Sequence, residues 1–201
     1  MALVLGLTGG IGMGKSTVAR WLRDQDIQVF CADEYVHRLL GPRGNAARAI
    51  IRSFPDAATG QKIDRTKLGQ IIFKNKQARK RLENILHPLV RAAEMRFVTR
   101  HQKSDLIVLD IPLLYETGAE ILCDAVMVVD APASIARARV LARPGMTPER
   151  YALIKAAQMP NNRRKKRADF VLDTNQSTTA TRRDLQTILR AVKQQYARNC
   201  S

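Results

Sequence analysis

Eight consecutive residues near the start of the chain, Gly9-Gly10-Ile11-Gly12-Met13-Gly14-Lys15-Ser16, satisfy the spacing G-x-x-x-x-G-K-[ST]. Glycines at those places let successive backbone N–H groups turn toward one point. A polyphosphate is the ligand that such a donor set, backed by a positive helix end, attracts. The lysine reaches the β and γ phosphates of a nucleotide, and the serine hydroxyl ligates the Mg²⁺ that accompanies them. Two carboxylates are placed to complete the chemistry. Asp110 closes an apolar run, where an acid can approach the metal or simply cap the next element. Asp33 follows another such run, where it either accepts a proton from an acceptor hydroxyl or caps a helix from Glu34 to Leu40. Arg139 and Arg143 lie one helical turn apart, either on a wet face or both directed at a transferring phosphoryl group.

The elements that must position these groups are legible as apolar runs. Leu3 to Leu7, Ile27 to Cys31, Leu106 to Asp110, Ala125 to Asp130 and Phe170 to Asp173 are short and rich in Val, Ile and Leu, without polar alternation. Runs of that kind suit parallel strands covered on both faces, and helical segments separate each from the next, which predicts a doubly wound α/β fold on a five-stranded parallel sheet. The last helix carries Leu185, Ile188, Leu189, Val192 and Tyr196 on one stripe. Between the second and third strands lie about seventy residues, too many for a plain crossover. Their periodicity is helical: Ala47, Ile50, Ile51 and Phe54; then Leu68, Ile71 and Ile72; then Leu82, Ile85 and Leu86. Pro88 is expected to start a further helix, with His87 extended before it. Residues 34–104 thus read as an inserted helical subdomain, leaving the carboxyl end of the second strand and placed to bind a second substrate. Residues 139–165 read as a helical lid: Pro144-Gly145 breaks one helix, and Thr147 and Pro148 begin another. The core is then 1–33, 105–138 and 166–201.

At 201 residues and 45% apolar content, the chain suffices for one principal domain. The formal charge of +16 favours an anionic partner, and Arg163-Arg164-Lys165-Lys166-Arg167 has the look of a nucleic-acid patch. No aromatic residue is interleaved with it for base stacking, so a solvated or ligand-facing basic loop is the expectation, with no nucleic-acid partner. Cys31, Cys123 and Cys200 show no paired spacing, His37, His87 and His101 no metal triad, and no run is long enough for a membrane span. A cytoplasmic monomer is expected.

Taken in order, the landmarks resemble the dephospho-CoA kinase family over nearly the whole chain. Gly6 to Gly12 leads into Gly14-Lys15-Ser16-Thr17; then come Ala32-Asp33, Asp64-Arg65, Leu86-His87-Pro88, Asp110-Ile111-Pro112-Leu113-Leu114-Tyr115-Glu116, Arg139-Val140 with Arg143, Gln158, and Ala168-Asp169. The Asp-x-Pro-Leu-Leu-aromatic-Glu run and the His-Pro pair are the specific ones. The resemblance implies a P-loop fold like that of nucleoside monophosphate kinases and transfer of the ATP γ-phosphoryl group to the ribose 3′-hydroxyl of dephospho-CoA. It implies ATP binding by Gly12, Met13, Gly14, Lys15, Ser16 and Thr17, Mg²⁺ held at Ser16 and Asp110, and catalysis by Asp33, Lys15, Arg143 and Arg139. Thr8, Asp33, Arg65, His87, Leu113, Leu114 and Tyr115 would line the acceptor's surface. Three positions depart from the family pattern. Met13 replaces a usual serine or threonine and is expected to turn outward, Cys31 replaces the first acid of Asp-Ala-Asp, and Asp173-Thr174-Asn175-Gln176-Ser177 replaces the Asn-x-Gly where an adenine contact is expected. A regulatory GTPase is disfavoured, because the one Asn-Lys pair continues as Asn75-Lys76-Gln77-Ala78.

Overall fold

The computed structural model describes residues 1–199. In chain order the elements are β1 (Leu3–Gly9), α1 (Lys15–Arg23), β2 (Gln28–Cys31), α2 (Ala32–Leu39), α3 (Ala47–Ser53), the two-residue strands β3 (Ala58–Thr59) and β4 (Lys62–Ile63), α4 (Arg65–Lys74) and α5 (Lys76–Arg100). There follow β5 (Leu106–Asp110), β6 (Ala125–Asp130), α6 (Ala133–Leu141), α7 (Pro148–Ala156), α8 (Asn161–Arg167), β7 (Phe170–Asp173) and α9 (Thr178–Asn199). Each of the five apolar runs is a strand of one parallel sheet, in the order β2-β5-β1-β6-β7. β1 is central and buried along its whole length. Its register places Leu7 beside Asp110 on one flank and Met127 on the other, so the acid at the end of β5 stands two residues short of the glycine loop that leaves β1.

One sheet face is covered by α1 and α9. Leu3, Leu5 and Leu7 pack with Val18, Trp21 and Leu22 of α1 and with Leu185, Leu189 and Val192 of α9. Full burial of each such side chain contributes about 1.5–3 kcal/mol, which is why the unbroken runs and the stripe on α9 are strong signals. Cys31 and Cys123 form no disulfide; Cys200 lies outside the described residues.

The chain divides into two compact units, residues 1–30 with the chain from Val98 onward, and Cys31–Phe97. The second has a core of its own, in which Leu39, Ile50, Phe54, Leu68, Leu82 and Leu86 meet. Pro88 does not start a helix there. It lies inside the 25-residue α5, and His87 before it is helical rather than extended. A proline inside a helix removes one backbone bond and costs about 3 kcal/mol. Here the buried series Leu82, Leu86 and Ala93 runs past it on one face, and continuing that face outweighs the lost bond.

Glu94, on the same helix, is 3% exposed, with its carboxylate 3.6 Å from Arg91. Burial raises its pKa above the ordinary carboxylate value, and the Arg91 charge only partly opposes this. A carboxyl whose folded pKa is raised favours folding at pH below its unfolded value and loses that contribution as pH climbs through the folded one. Glu94→Gln is therefore expected to melt higher than the parent at pH 7.5, by about 2–4 °C for each kcal/mol recovered. The gain should shrink as pH falls toward 4.5, the ordinary carboxyl value; thermal denaturation across that range measures both.

Candidate active site

β1 delivers the chain into the glycine loop, and α1 starts at Lys15 with no side chain capping it. Gly14 fills the cap position at φ 88° and Gly12 lies at φ 82°, backbone conformations that an L side chain occupies at about 1–2 kcal/mol. A Cβ on Gly12 would also collide with the Ala136 carbonyl oxygen. Gly12→Ala is expected to cost about 2–4 kcal/mol in urea unfolding and to weaken nucleotide binding, because helix α6 or the loop must shift. Met13 does not turn outward as expected. Its thioether is 9% exposed and joins the core cluster beneath the loop, since an apolar side chain gains more by burial there than in water.

Lys15 Nζ lies 2.6 Å from Asp110 Oδ1, with the two side chains 12% and 3% exposed. An acid that buried is sustained by a cation in hydrogen-bonding contact, and here that cation is the lysine of the phosphate loop. Ser16 is exposed on the first turn of α1, and Thr17 is half-buried. Two hard oxygen donors, Ser16 and Asp110, suit Mg²⁺, which keeps most of its water ligands and needs few from protein. Among the described residues there is no cluster of three or more His, Cys, Asp or Glu side chains able to hold a metal.

The segment after β5 is mostly packed away. Thr8 is fully buried and donates its hydroxyl to the Pro112 carbonyl at 3.1 Å. Leu114 is buried against Gly6, Leu113 is half-buried, and Tyr115 lies beneath the Arg167 guanidinium, 4.3 Å from the ring centre. Burial pushes the Tyr115 phenol up to about 12, the nearby Arg167 charge opposing.

In the second unit, Asp33 is the second residue of α2 and the cap position belongs to Cys31, so the helix begins at Ala32 and not at Glu34. Asp33 is exposed and caps nothing. Arg65 opens α4 behind the capping side chain of Asp64 and reaches His37, one turn beyond Asp33, at the ring Nε2 (2.6 Å) and the carbonyl oxygen (3.0 Å). His87 is exposed on α5.

Of the two candidate arginines, Arg139 donates to the Thr174 carbonyl at 3.0 Å, while Arg143 is exposed in the turn after α6. Thr147 caps α7 as expected, accepting from Arg150 N. The basic tract is a helix rather than a loop. In α8, Arg164 is 1% exposed against Glu116 (3.3 Å), Lys165 meets Asp130 (2.7 Å) and Arg167 meets Glu120 (2.7 Å).

With this geometry in view, the comparisons with known proteins converge. The family model for dephospho-CoA kinase matches residues 3–180. The chain belongs to the dephospho-CoA kinase family. A dephospho-CoA kinase from Novosphingobium aromaticivorans is 45% identical over 195 residues, covering 97% of each chain. Among solved structures, a Thermus thermophilus protein superposes with a TM-score of 0.81 at 35% identity, covering 94% of this chain and 97% of its own. Dephospho-CoA kinase from Campylobacter jejuni gives 0.72 at 26% identity, covering 98% of this chain and all of its own. This kinase family catalyses the last step of coenzyme A biosynthesis.

Two acids of this family member gained no role from the sequence alone. Glu116 accepts from Met159 N at 2.5 Å as well as from Arg164, and Asp130 accepts from Asn161 at 2.5 Å as well as from Lys165. Asp130 carries the same local signal as Asp110, a carboxylate closing an apolar strand. Only the fold shows that one faces Lys15 and the other faces α8.

Proposed function

We propose that the chain transfers the γ-phosphoryl group of ATP to the ribose 3′-hydroxyl of dephospho-CoA, giving CoA and ADP. What supports this reading is the buried Lys15–Asp110 contact at the mouth of a glycine loop, in a chain of this family. Gly12 to Thr17 hold the donor phosphates through backbone N–H groups, Lys15 neutralises the β and γ oxygens, and Ser16 with Asp110 would hold Mg²⁺. When bound, that ion withdraws charge from the transferring phosphoryl group. Asp33 accepts or orients the acceptor hydroxyl proton, and Arg143 stabilises charge on the equatorial oxygens with Arg139 in support. Residues 34–104 form the acceptor-binding insertion, with Arg65 and His87 there and the half-buried Leu113 in the segment after β5, backed by the buried Thr8 of β1 and the buried Leu114 and Tyr115; residues 139–165 form the lid. The enzyme works as a cytoplasmic monomer without a nucleic-acid or membrane partner; among the described residues no helix is long and apolar enough to cross a membrane.

The test offers ATP and Mg²⁺ with dephospho-CoA, AMP, dTMP or pantothenate. The expected result is turnover of dephospho-CoA far above the others, with phosphorus NMR placing the new phosphate on the 3′ oxygen. Preference for any other acceptor overturns the assignment.

A further inference from the structure

We propose that Gln158 and Thr174 are positioning residues for the phosphate loop, each holding one of its peptide planes from outside so that the loop's N–H groups stay turned toward the donor phosphates. This rests on the reading of that loop as the ATP phosphate site.

The first plane is the peptide between Gly10 and Ile11. Its carbonyl accepts from Met13 N at 3.2 Å, and its N–H donates to Gln158 Oε1 at 2.9 Å. A peptide unit is rigid and planar, so the two bonds grip one plate at both edges. Gly10 lacks the Cβ that would restrict rotation of that plate, so orientation must be imposed from elsewhere. The second plane joins Met13 to Gly14. Thr174 Oγ1 lies 2.9 Å from the Met13 carbonyl and 3.1 Å from the Asp130 carbonyl, which the Thr174 N–H already satisfies; its one proton is assigned to Met13, and in a trans peptide this directs the Gly14 N–H to the opposite side. A flip of the Met13–Gly14 plate would place a carbonyl oxygen, the negative end of the dipole, among donors that must receive an anion, and a flip of the Gly10–Ile11 plate would break the turn bond from Met13 N that shapes the loop.

Both clamps are themselves anchored. Gln158 precedes Met159, whose N–H donates to Glu116, and Glu116 is paired to the buried Arg164. Thr174 follows β7; its N–H donates to the Asp130 carbonyl at 2.8 Å, and its own carbonyl accepts from Arg139 at 3.0 Å. The position that departs from the family's Asn-x-Gly thus acquires a task, fixing loop geometry.

Gln158→Met and Thr174→Val remove the hydrogen-bonding atom with little change in volume, while Thr174→Ser keeps the hydroxyl. Calorimetric titration of the full chain with MgATP should show Kd raised about tenfold in each of the first two, about 1.4 kcal/mol, and within about twofold of the parent in Thr174→Ser. The KM for dephospho-CoA should move less than about twofold. MgATP binding within about twofold of the parent by both Gln158→Met and Thr174→Val overturns the proposal. So does a Thr174→Ser chain as impaired as Thr174→Val, since a packing role would not be rescued by the hydroxyl. A parent chain that fails to bind MgATP overturns the reading of the loop itself, and this proposal with it.

Discussion

Arg143→Ala lowers kcat by about 10³–10⁵ while leaving the KM for ATP within about tenfold. The structure separates the two arginines that the sequence places on one helical face. Arg139 spends its guanidinium on Thr174, whereas Arg143 is exposed beyond the end of α6, beside the Pro144-Gly145 turn, and makes no hydrogen bond or ion pair through its side chain among the described residues. A cation that meets the equatorial oxygens only as charge spreads over them is absent from ground-state binding, so its loss falls on kcat. Arg143→Lys should recover part of the rate, because the charge is kept and the planar fork is not. Steady-state kinetics on Arg139→Ala and Arg143→Ala decide the matter. If Arg143→Ala retains kcat within tenfold of the parent and Arg139→Ala does not, the roles are exchanged.

Asp33→Asn lowers kcat by about 10²–10⁴ and leaves MgATP affinity nearly unchanged. The rival role, helix capping, makes the opposite forecast: loss of about 1 kcal/mol of stability with normal turnover. Because Cys31 holds the cap position and the Asp33 carboxylate is exposed without a capping bond, unfolding of Asp33→Asn should stay within about 0.5 kcal/mol of the parent. Denaturant titration and single-turnover kinetics on one preparation separate the two roles. Normal single-turnover rates would remove Asp33 from the chemistry.

The three central strands, β1, β5 and β6, were readable because each is a short, unbroken apolar run whose burial on both faces leaves no polar alternation to confuse the signal; the edge strands β2 and β7 are only partly buried and were readable from composition alone. The phosphate loop was readable because its parts are consecutive. Pro88 was misread for a physical reason: a proline dipeptide argues locally for a helix start, whereas the choice was made by a buried face running along α5. The cap of α2 turned on the backbone angles of one residue, Cys31 at φ −107° and ψ 113°, which no residue type announces. Gln158 and Ile11 are 147 positions apart, and Glu116 and Met159 are 43 apart. Partnerships across such separations depend on strand order, so the sequence could name Gln158 as a family landmark without saying what it holds. Met13 was expected outside because only its backbone had a task; the hollow under the loop that takes its thioether is a property of the packed sheet.

Helix α8 carries the densest run of cations in the chain, yet three of its five answer carboxylates on neighbouring segments, at Glu116, Asp130 and Glu120. Arg164 is buried in its pair, while Lys165 and Arg167 stay half-exposed beside theirs. A polyanionic matrix would have to displace an acid before any of the three could release a counterion, so the slope of elution against salt should follow arginines and lysines elsewhere on the surface. The net charge of +16 already counts those three acids, so most of the uncompensated positive charge of this protein lies outside its most basic pentapeptide.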